Sequence, residues 1–263
     1  IEVILRFKTK FGNCEGVVRL FEDQERKGSF KAWSLLTALS DLSSFDKKNN
    51  EQYQNILEGP NWLDKRNEDR LYKNREPEVI VVGSGQAGLS IAARLKQQNI
   101  DTLIVDKNER IGDNWRNRYH SLKLHNQTHV NHLPYMPFPS TWPTYIPKDK
   151  LAGWFEYYVE SMELNAWTNT KFIGAEYDEN KKHWKVKLKL SDGTIKIMKP
   201  KHIVMAVGVS SVPNRTKIPG MDHYKGKVIH SADYENGKHY NGKNVLVYGT
   251  GTSAHDVAQD LYV

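Results

Sequence analysis

The chain has 263 residues, with 38% hydrophobic and 26% charged residues and a formal net charge of +7 at pH 7. This length allows one large domain or parts of two, and no apolar run approaches the ~18 residues that a membrane span requires. Cys14 is the only cysteine, which excludes an intrachain disulfide and favours a reducing, cytoplasmic compartment.

Residues 1–59 are predicted to be the end of an appended N-terminal domain followed by a linker. Residues 16–21 and 29–36 are strand-like, and the charged segment between them favours a hairpin turn. Two strands provide too little material to bury both faces of a sheet. The polar stretch 46–54 predicts the linker, and the first residue is isoleucine, so we interpret the chain as a piece of a longer protein.

One stretch, residues 78–106, follows the order strand, glycine turn, helix, strand, acid. Val79–Val82 and Thr102–Val105 are short apolar runs typical of buried parallel strands. Between them lies a G-x-G-x-x-G turn followed by apolar residues at helical spacing, the pattern of a dinucleotide-binding unit. The residues of this turn are Gly83, Ser84, Gly85, Gln86, Ala87 and Gly88.

Each part of this stretch has a physical role in binding an adenine dinucleotide. The first glycine permits the tight turn, the second allows close approach of a pyrophosphate, and the third allows the helix to pack near the strand. The helix N-terminus offers N–H groups and partial positive charge to phosphates. Asp106, 18 residues beyond Gly88, is placed to accept from ribose hydroxyls, and we include Lys107 beside it in the site. The alternative is a plain glycine turn in an α/β core.

A proline-rich and aromatic segment, residues 119–139, follows this unit and is predicted to be an ordered functional loop. His125, His129 and His132 have the spacing of one helical face, which would suit zinc. The prolines argue against a helix, and no carboxylate or cysteine joins the histidines. We therefore predict no metal site and favour loop histidines beside a bound cofactor, with His125 counted in the site.

Residues 148–164 predict an amphipathic helix whose aromatic side chains belong to the core. Residues 167–207 predict a strand meander with a turn at 191–193. The lysines of residues 181–201 alternate with apolar residues, which is typical of the solvated face of a strand. No nucleic-acid partner is therefore expected.

A second strand–glycine–helix unit lies near the end of the chain. Residues 244–248 predict a buried strand, and a helix through Val257 and Leu261 follows a G-x-G-x-x-A turn. The sequence shows no later strand whose acid or arginine would reveal the ligand's 2′ group. The residues predicted to meet this second nucleotide are Gly249, Gly251, Thr252, Ser253 and Ala254.

Two such turns about 165 residues apart, with a meander between them, resemble the two-dinucleotide-binding flavoproteins. Residues 224–234 resemble the F-x-G-x3-H-x3-[FY] fingerprint of class B flavin-dependent monooxygenases, with tyrosine for the leading phenylalanine. Residues 111–115 resemble their G-G-x-W segment, with isoleucine for the first glycine, and residues 122–125 and 133–139 are similar to the plant auxin-forming YUCCA branch and related fungal sequences. The fingerprint residues are Tyr224, Gly226, His230 and Tyr234.

This resemblance implies an α/β, Rossmann-like FAD/NAD(P)-binding fold, with FAD at the first turn and NADPH at the second. It implies that Asn114 and Trp115 lie along the flavin, and that His230 links two domains rather than reacts. Residues 1–45 resemble the end of an NTF2-like domain found in some fungal members. The implied domains are an appended part at 1–59, an FAD-binding part at 60–220 and the truncated start of an NADPH-binding domain at 221–263.

The implied activity is that of an FAD- and NADPH-dependent monooxygenase. One oxygen atom from O2 passes to a small organic substrate through a C4a-(hydro)peroxyflavin, so no catalytic side chain is predicted. Amines, sulfides, ketones and 2-oxo acids all remain open as substrates. A disulfide reductase would need a cysteine pair, which this stretch lacks. A non-catalytic FAD- or nucleotide-binding fragment, or an interaction module, is the remaining alternative.

Overall fold

A computed structural model describes residues 1–42, 61–209 and 212–262. The chain divides into two compact units, residues 1–58 and 59–263. The linker predicted at 46–54 lies outside the described residues. The predicted boundary between residues 220 and 221 falls inside the second unit and stays a prediction.

The first unit is a three-stranded antiparallel sheet with strand order β1-β2-β3. The predicted hairpin is confirmed as β2 (Gly12–Glu22) and β3 (Phe30–Leu42), both longer than expected. The sequence analysis missed β1 (Glu2–Thr9), which pairs with β2 along its whole length. Within this unit Trp33 remains 79% exposed and Leu36 64% exposed, so three strands alone leave apolar surface uncovered.

The second unit is built on a four-stranded parallel sheet with strand order β10-β4-β5-β6. Both strands of the first glycine unit are confirmed at their predicted bounds. Their side chains are buried on both faces, as parallel strands require. The four strands are β4 (Val79–Val82), β5 (Thr102–Val105), β6 (Asn165–Trp167) and β10 (His202–Met205).

Helices cover this sheet and close its core. Leu151, Phe155 and Tyr158 are 3% exposed or less and pack with β4, β5 and α2, which confirms the core role predicted for the aromatics of α4. Within the described ranges, no helix is long and apolar enough to cross a membrane. The helices are α1 (Trp62–Leu71), α2 (Gln86–Gln97), α3 (Asp113–Arg116), α4 (Lys148–Ser161) and α5 (Thr252–Tyr262).

The predicted meander is shorter than expected. Its predicted ends, β6 and β10, belong to the parallel sheet, because their backbone groups pair with β5 and β4. Val186 and Leu188 of β8 are fully buried, whereas Lys185 and Lys187 form ion pairs with acids of β7. The antiparallel strands are β7 (Lys171–Asp178), β8 (His183–Lys189) and β9 (Ile195–Met198).

The prediction of a buried strand at 244–248 is wrong. The structure assigns no strand there, and Leu246 and Tyr248 are 87% and 76% exposed. A strand needs a neighbour for its backbone N–H and C=O groups, and no strand within the described residues pairs with this segment. The helix predicted after it is confirmed as α5.

Replacing Phe155 by alanine is expected to lower the free energy of unfolding by about 3–5 kcal/mol, because the side chain is 1% exposed and packs in the main core. Tyr157, on the same helix and 58% exposed, provides the matched control. Urea unfolding of both alanine variants checks the prediction, and equal losses of stability would contradict the packing of α4.

Candidate functional site

The first glycine turn is packed too closely for side chains. Gly83 has φ +105°, in the left-handed region, and a Cβ there would lie 2.4 Å from the Ala206 carbonyl oxygen. A Cβ on Gly88 would lie 1.9 Å from the Gly83 carbonyl oxygen. Since real Cβ atoms do not approach so closely, the packing roles predicted for these two glycines are confirmed.

In the structure, α3 lies against the second glycine of this turn and the start of α2. Gly85 caps α2 without a side chain, so it provides no acceptor for the first N–H groups of the helix. A Cβ at Gly85 would lie 3.2 Å from Nδ2 of Asn114, and Trp115 Nε1 donates to Gln86 Oε1 at 3.2 Å. The segment at 111–115 therefore lies against the first glycine turn, and its contact with the flavin stays a prediction.

A charged network fixes α3 in this place. The Arg116 guanidinium donates to the Ile111 carbonyl oxygen at 2.7 Å, to Asp113 at 2.9 Å and to Glu156 of α4 at 2.7 Å. Gly112 has φ +89° and lies against the backbone of α4. Ile111, which replaces a glycine of the family pattern, is 8% exposed and belongs to the main core.

Asp106 stands at the end of β5 beside the turn and is 8% exposed. The Ser84 N–H and hydroxyl both donate to its Oδ2 at 2.7 Å, and the Asn108 N–H donates to Oδ1 at 2.9 Å. These bonds fix the orientation of the carboxylate and leave an acceptor site on Oδ1, which accepts one hydrogen bond, whereas Oδ2 accepts two. Lys107, next to it, is exposed.

The second turn has a more open geometry than the first. Gly249 has φ +137°, whereas no atom lies within 4 Å of a Cβ placed on Gly251. Thr252 begins α5, and the N–H groups of Ala254 and His255 donate to the Gly251 carbonyl oxygen. Ser253 and Ala254 are half-buried. This turn therefore has space in front of its second glycine.

A carboxylate that the sequence did not indicate, Asp256, joins α5 to the segment at 117–125. The Tyr119 hydroxyl donates to Asp256 Oδ2 in α5, and His125 Nε2 lies 2.9 Å from the same oxygen. Burial, and then the bond to Asp256, raise the pKa of Tyr119 to about 12. Tyr119 and Val257 also pack in one buried cluster with Leu122 and Tyr234. His125, predicted in the site, therefore contacts α5.

The fingerprint residues do not gather at one point. Tyr224 is 60% exposed, with its ring over Gly226. His230 Nδ1 accepts from the Ala232 N–H at 3.0 Å, which is a local contact, so its linking role stays a prediction. Tyr234 is buried and donates to Asp260 at 2.7 Å. The one sequence signal for Asp260 and Asp256 is their spacing of four residues, which places both on one face of α5.

Two further features of this unit are the histidines of the proline-rich segment and one cavity. No group of three or more potential ligands that could hold a metal occurs within the described residues, and His132 Nδ1 accepts from the Phe138 N–H at 2.9 Å. A cavity of about 430 Å³ is lined by residues 116–118, 120 and 232–236 and by Lys148. It shares no residue with either glycine turn.

Residues 80–263 match the family model described as pyridine nucleotide-disulphide oxidoreductase. The chain belongs to this family. It is 34% identical over 188 residues to a probable indole-3-pyruvate monooxygenase, YUCCA3 of Arabidopsis thaliana, covering 70% of this chain and 43% of that protein. It is 31% identical over 186 residues to the indole-3-pyruvate monooxygenase YUCCA1 of Oryza sativa subsp. japonica, covering 70% and 45%. The chain thus spans less than half the length of these relatives.

Solved structures support the same fold. A mutant of a flavin monooxygenase from Stenotrophomonas maltophilia aligns with a TM-score of 0.64 and 21% identity, covering 71% of this chain and 54% of that chain. The matches confirm the Rossmann-like α/β fold and the resemblance to class B flavin-dependent monooxygenases. The chain belongs to an oxidoreductase family whose monooxygenases use FAD and NADPH.

The residues of the first turn fit a dinucleotide. Its glycines leave no room for side chains, the start of α2 has no side-chain cap, and a fixed carboxylate closes the neighbouring strand. This is the arrangement in which a pyrophosphate meets a helix N-terminus and a ribose meets an acid. Direct contact of these residues with FAD remains a prediction.

Replacing Asp106 by alanine is expected to weaken FAD binding about tenfold or more, because charge-assisted bonds to ribose hydroxyls are worth about 1.5–3 kcal/mol each. The control is Asp101→Ala, at the opposite end of the same strand, where Asp101 accepts from Tyr72 at 2.7 Å. Flavin titration of both full-length variants provides the measurement. Unchanged FAD affinity in Asp106→Ala would contradict the assignment.

Proposed function

We propose that the full-length protein is an FAD- and NADPH-dependent monooxygenase that transfers one oxygen atom from O2 to a small organic substrate. The observation that carries the proposal is the placement of two glycine turns on one compact unit, with α3 against the first and α5 beginning at the second. The match of residues 80–263 to the family model and the 34% identity to a probable indole-3-pyruvate monooxygenase over 188 residues support it.

We assign the two turns to different cofactors. When bound, FAD and NADPH supply the hydride transfer and the activation of oxygen, while this chain's residues bind and orient them. At the first turn, Asn114 and Trp115 would orient the flavin beside α2. The residues proposed for FAD are Gly83, Ser84, Gly85, Gln86, Ala87, Gly88, Asp106, Lys107, Asn114, Trp115 and His125, and those for NADPH are Gly249, Gly251, Thr252, Ser253 and Ala254.

We propose that the substrate is an aromatic 2-oxo acid. This choice rests on the printed names of the relatives, which are indole-3-pyruvate monooxygenases. NADPH oxidation by the full-length protein, measured with one 2-oxo acid, one amine, one sulfide and one ketone, tests it. The substrate assignment would be overturned if only the amine, the sulfide or the ketone stimulated NADPH oxidation and gave an oxygenated product. That result would leave the monooxygenase proposal intact.

The exposed segment 244–248 favours a second candidate for residues 1–263 taken alone, namely a nucleotide-binding fragment without turnover. Leu246 and Tyr248 in this segment are 87% and 76% exposed.

We also propose a cytoplasmic location, which rests on the single cysteine. No nucleic-acid partner is proposed, since Lys185 and Lys187 of β8 pair with acids of the neighbouring strand.

Replacing Gly251 by valine in the full-length protein is expected to slow flavin reduction by NADPH about tenfold or more and to leave the protein yellow. The position has room for a side chain in this structure, so the loss would come from blocking the pyrophosphate rather than from misfolding. Gly174→Val in β7, which is equally open, serves as the control. Rapid-mixing absorbance at the flavin band gives the rate, and loss of FAD with normal reduction of the remainder would reverse the two assignments.

Residues 1–263 expressed alone are expected not to oxidise NADPH at an enzymatic rate. The segment before the second glycine turn lacks strand neighbours within the described residues, so the turn is not anchored on a sheet. Absorbance at the nicotinamide band, with FAD and O2 present, provides the measurement. Sustained oxidation of NADPH would show that this span carries a working second site.

A further inference from the structure

We propose that Asp256 is a positioning residue that holds the second glycine turn at a fixed distance from the residues assigned to the flavin. It does so by bonding α5 to residues 117–125, the flavin-side loop. The inference rests on the proposed function, because it concerns hydride transfer between the two assigned cofactors. It names a residue that lies outside both glycine turns and outside the fingerprint.

Asp256 lies between α5 and the loop at 117–125. Its Oδ2 accepts from the Tyr119 hydroxyl and lies 2.9 Å from His125 Nε2. Tyr119 lies three residues after α3 ends at Arg116, and α3 carries the two residues assigned to the flavin. Asp256 lies four residues into α5, about one helical turn from its start. One oxygen therefore connects the flavin-side loop to the helix that follows the second glycine turn.

Packing alone does not determine this position. The cluster of Tyr119, Leu122, Tyr234 and Val257 is apolar, and apolar burial is not directional. The hydrogen bonds at Asp256 are directional, and they select one rotation of α5 against the loop. A second polar link, from the His120 N–H to the Glu235 carbonyl oxygen at 2.8 Å, joins the same loop to residues before α5, and those residues bond α5 through Asp260 rather than Asp256.

The burial of the partners makes the contact difficult to replace. Tyr119 is 5% exposed, and the Asp256 side chain is 21% exposed. Without the carboxylate, the buried tyrosine hydroxyl loses its charged acceptor and keeps the hydrogen bond to the Ser253 side chain, so the loop is held less firmly against α5. A displacement of about 1 Å is enough to slow a positioned reaction by as much as ~10²-fold.

The test uses the full-length, FAD-loaded protein with Asp256→Ala, Asp256→Asn and Asp260→Ala. Asp260 is the matched control, because it lies one turn further along α5 and bonds Tyr234 and Gly237 instead of the flavin-side loop. The first readout is the limiting rate of flavin reduction at saturating NADPH without oxygen. We expect Asp256→Ala to lower it at least about tenfold at normal FAD content, and Asp256→Asn, which keeps an acceptor, to recover part of the loss.

The second readout, amide hydrogen exchange without NADPH, does not depend on catalysis. In Asp256→Ala, residues 117–125 and α5 are expected to exchange about tenfold faster. In Asp260→Ala, residues 231–240 and α5 change while residues 117–125 do not. Faster exchange at 117–125 in both variants would show a general packing role and would overturn the proposal.

Other outcomes separate this inference from the proposed function. If wild-type protein is not reduced by NADPH, the proposed function fails, and the exchange pattern alone decides the positioning of α5. If wild type is reduced and Asp256→Ala is reduced at the same rate, the positioning proposal fails. Should Asp256→Ala not fold, Tyr119→Phe removes one of the two bonds and retains the ring, and an unchanged limiting rate and exchange pattern in that variant would overturn the proposal.

Discussion

The site depends on the contact between Gly88 of α2 and the Gly83 carbonyl, where no side chain fits. This contact sets the height of α2 above β4 and brings the N-terminus of the helix to the carboxyl edge of the parallel sheet. Asp106 leaves β5 at the same edge, and its carboxylate is fixed by the turn through Ser84. Turn, helix and acid therefore form one rigid arrangement whose accuracy comes from backbone packing.

The flavin-side segment is held by a different kind of force. A helix of four residues such as α3 is not stable alone, because nucleation costs more than its few hydrogen bonds return. Its position comes from Gly112 against α4 and from Arg116, which bonds both within the segment and to Glu156. Because these charges are partly buried, they orient α3 more strictly than exposed pairs would. Charge pairing thus holds Asn114 beside Gly85, whose own position comes from backbone packing.

The second glycine unit differs from the first in its support. The first turn lies between buried parallel strands. The second follows a segment that pairs with no strand in the described part of the chain, and it rests on the loop at 117–125 through α5. Asp256 bonds α5 to the loop at 117–125, whereas Asp260 bonds it to the segment at 234–237.

The sequence by itself determined the first glycine unit, residues 78–106. Its strands, glycine turn, helix and acid are contiguous, and their pattern follows from local geometry. It also predicted α4 and β8, where the periodicity of apolar residues is strong. Only the tertiary structure decided which strands share a sheet, that β6 and β10 flank β4 and β5, and that residues 244–248 pair with no strand among the described residues. The pairing of Tyr119 with Asp256 also required it, since these residues are 137 positions apart and neither belongs to a local pattern. Contacts of this kind depend on how whole elements pack, and no short-range spacing encodes them.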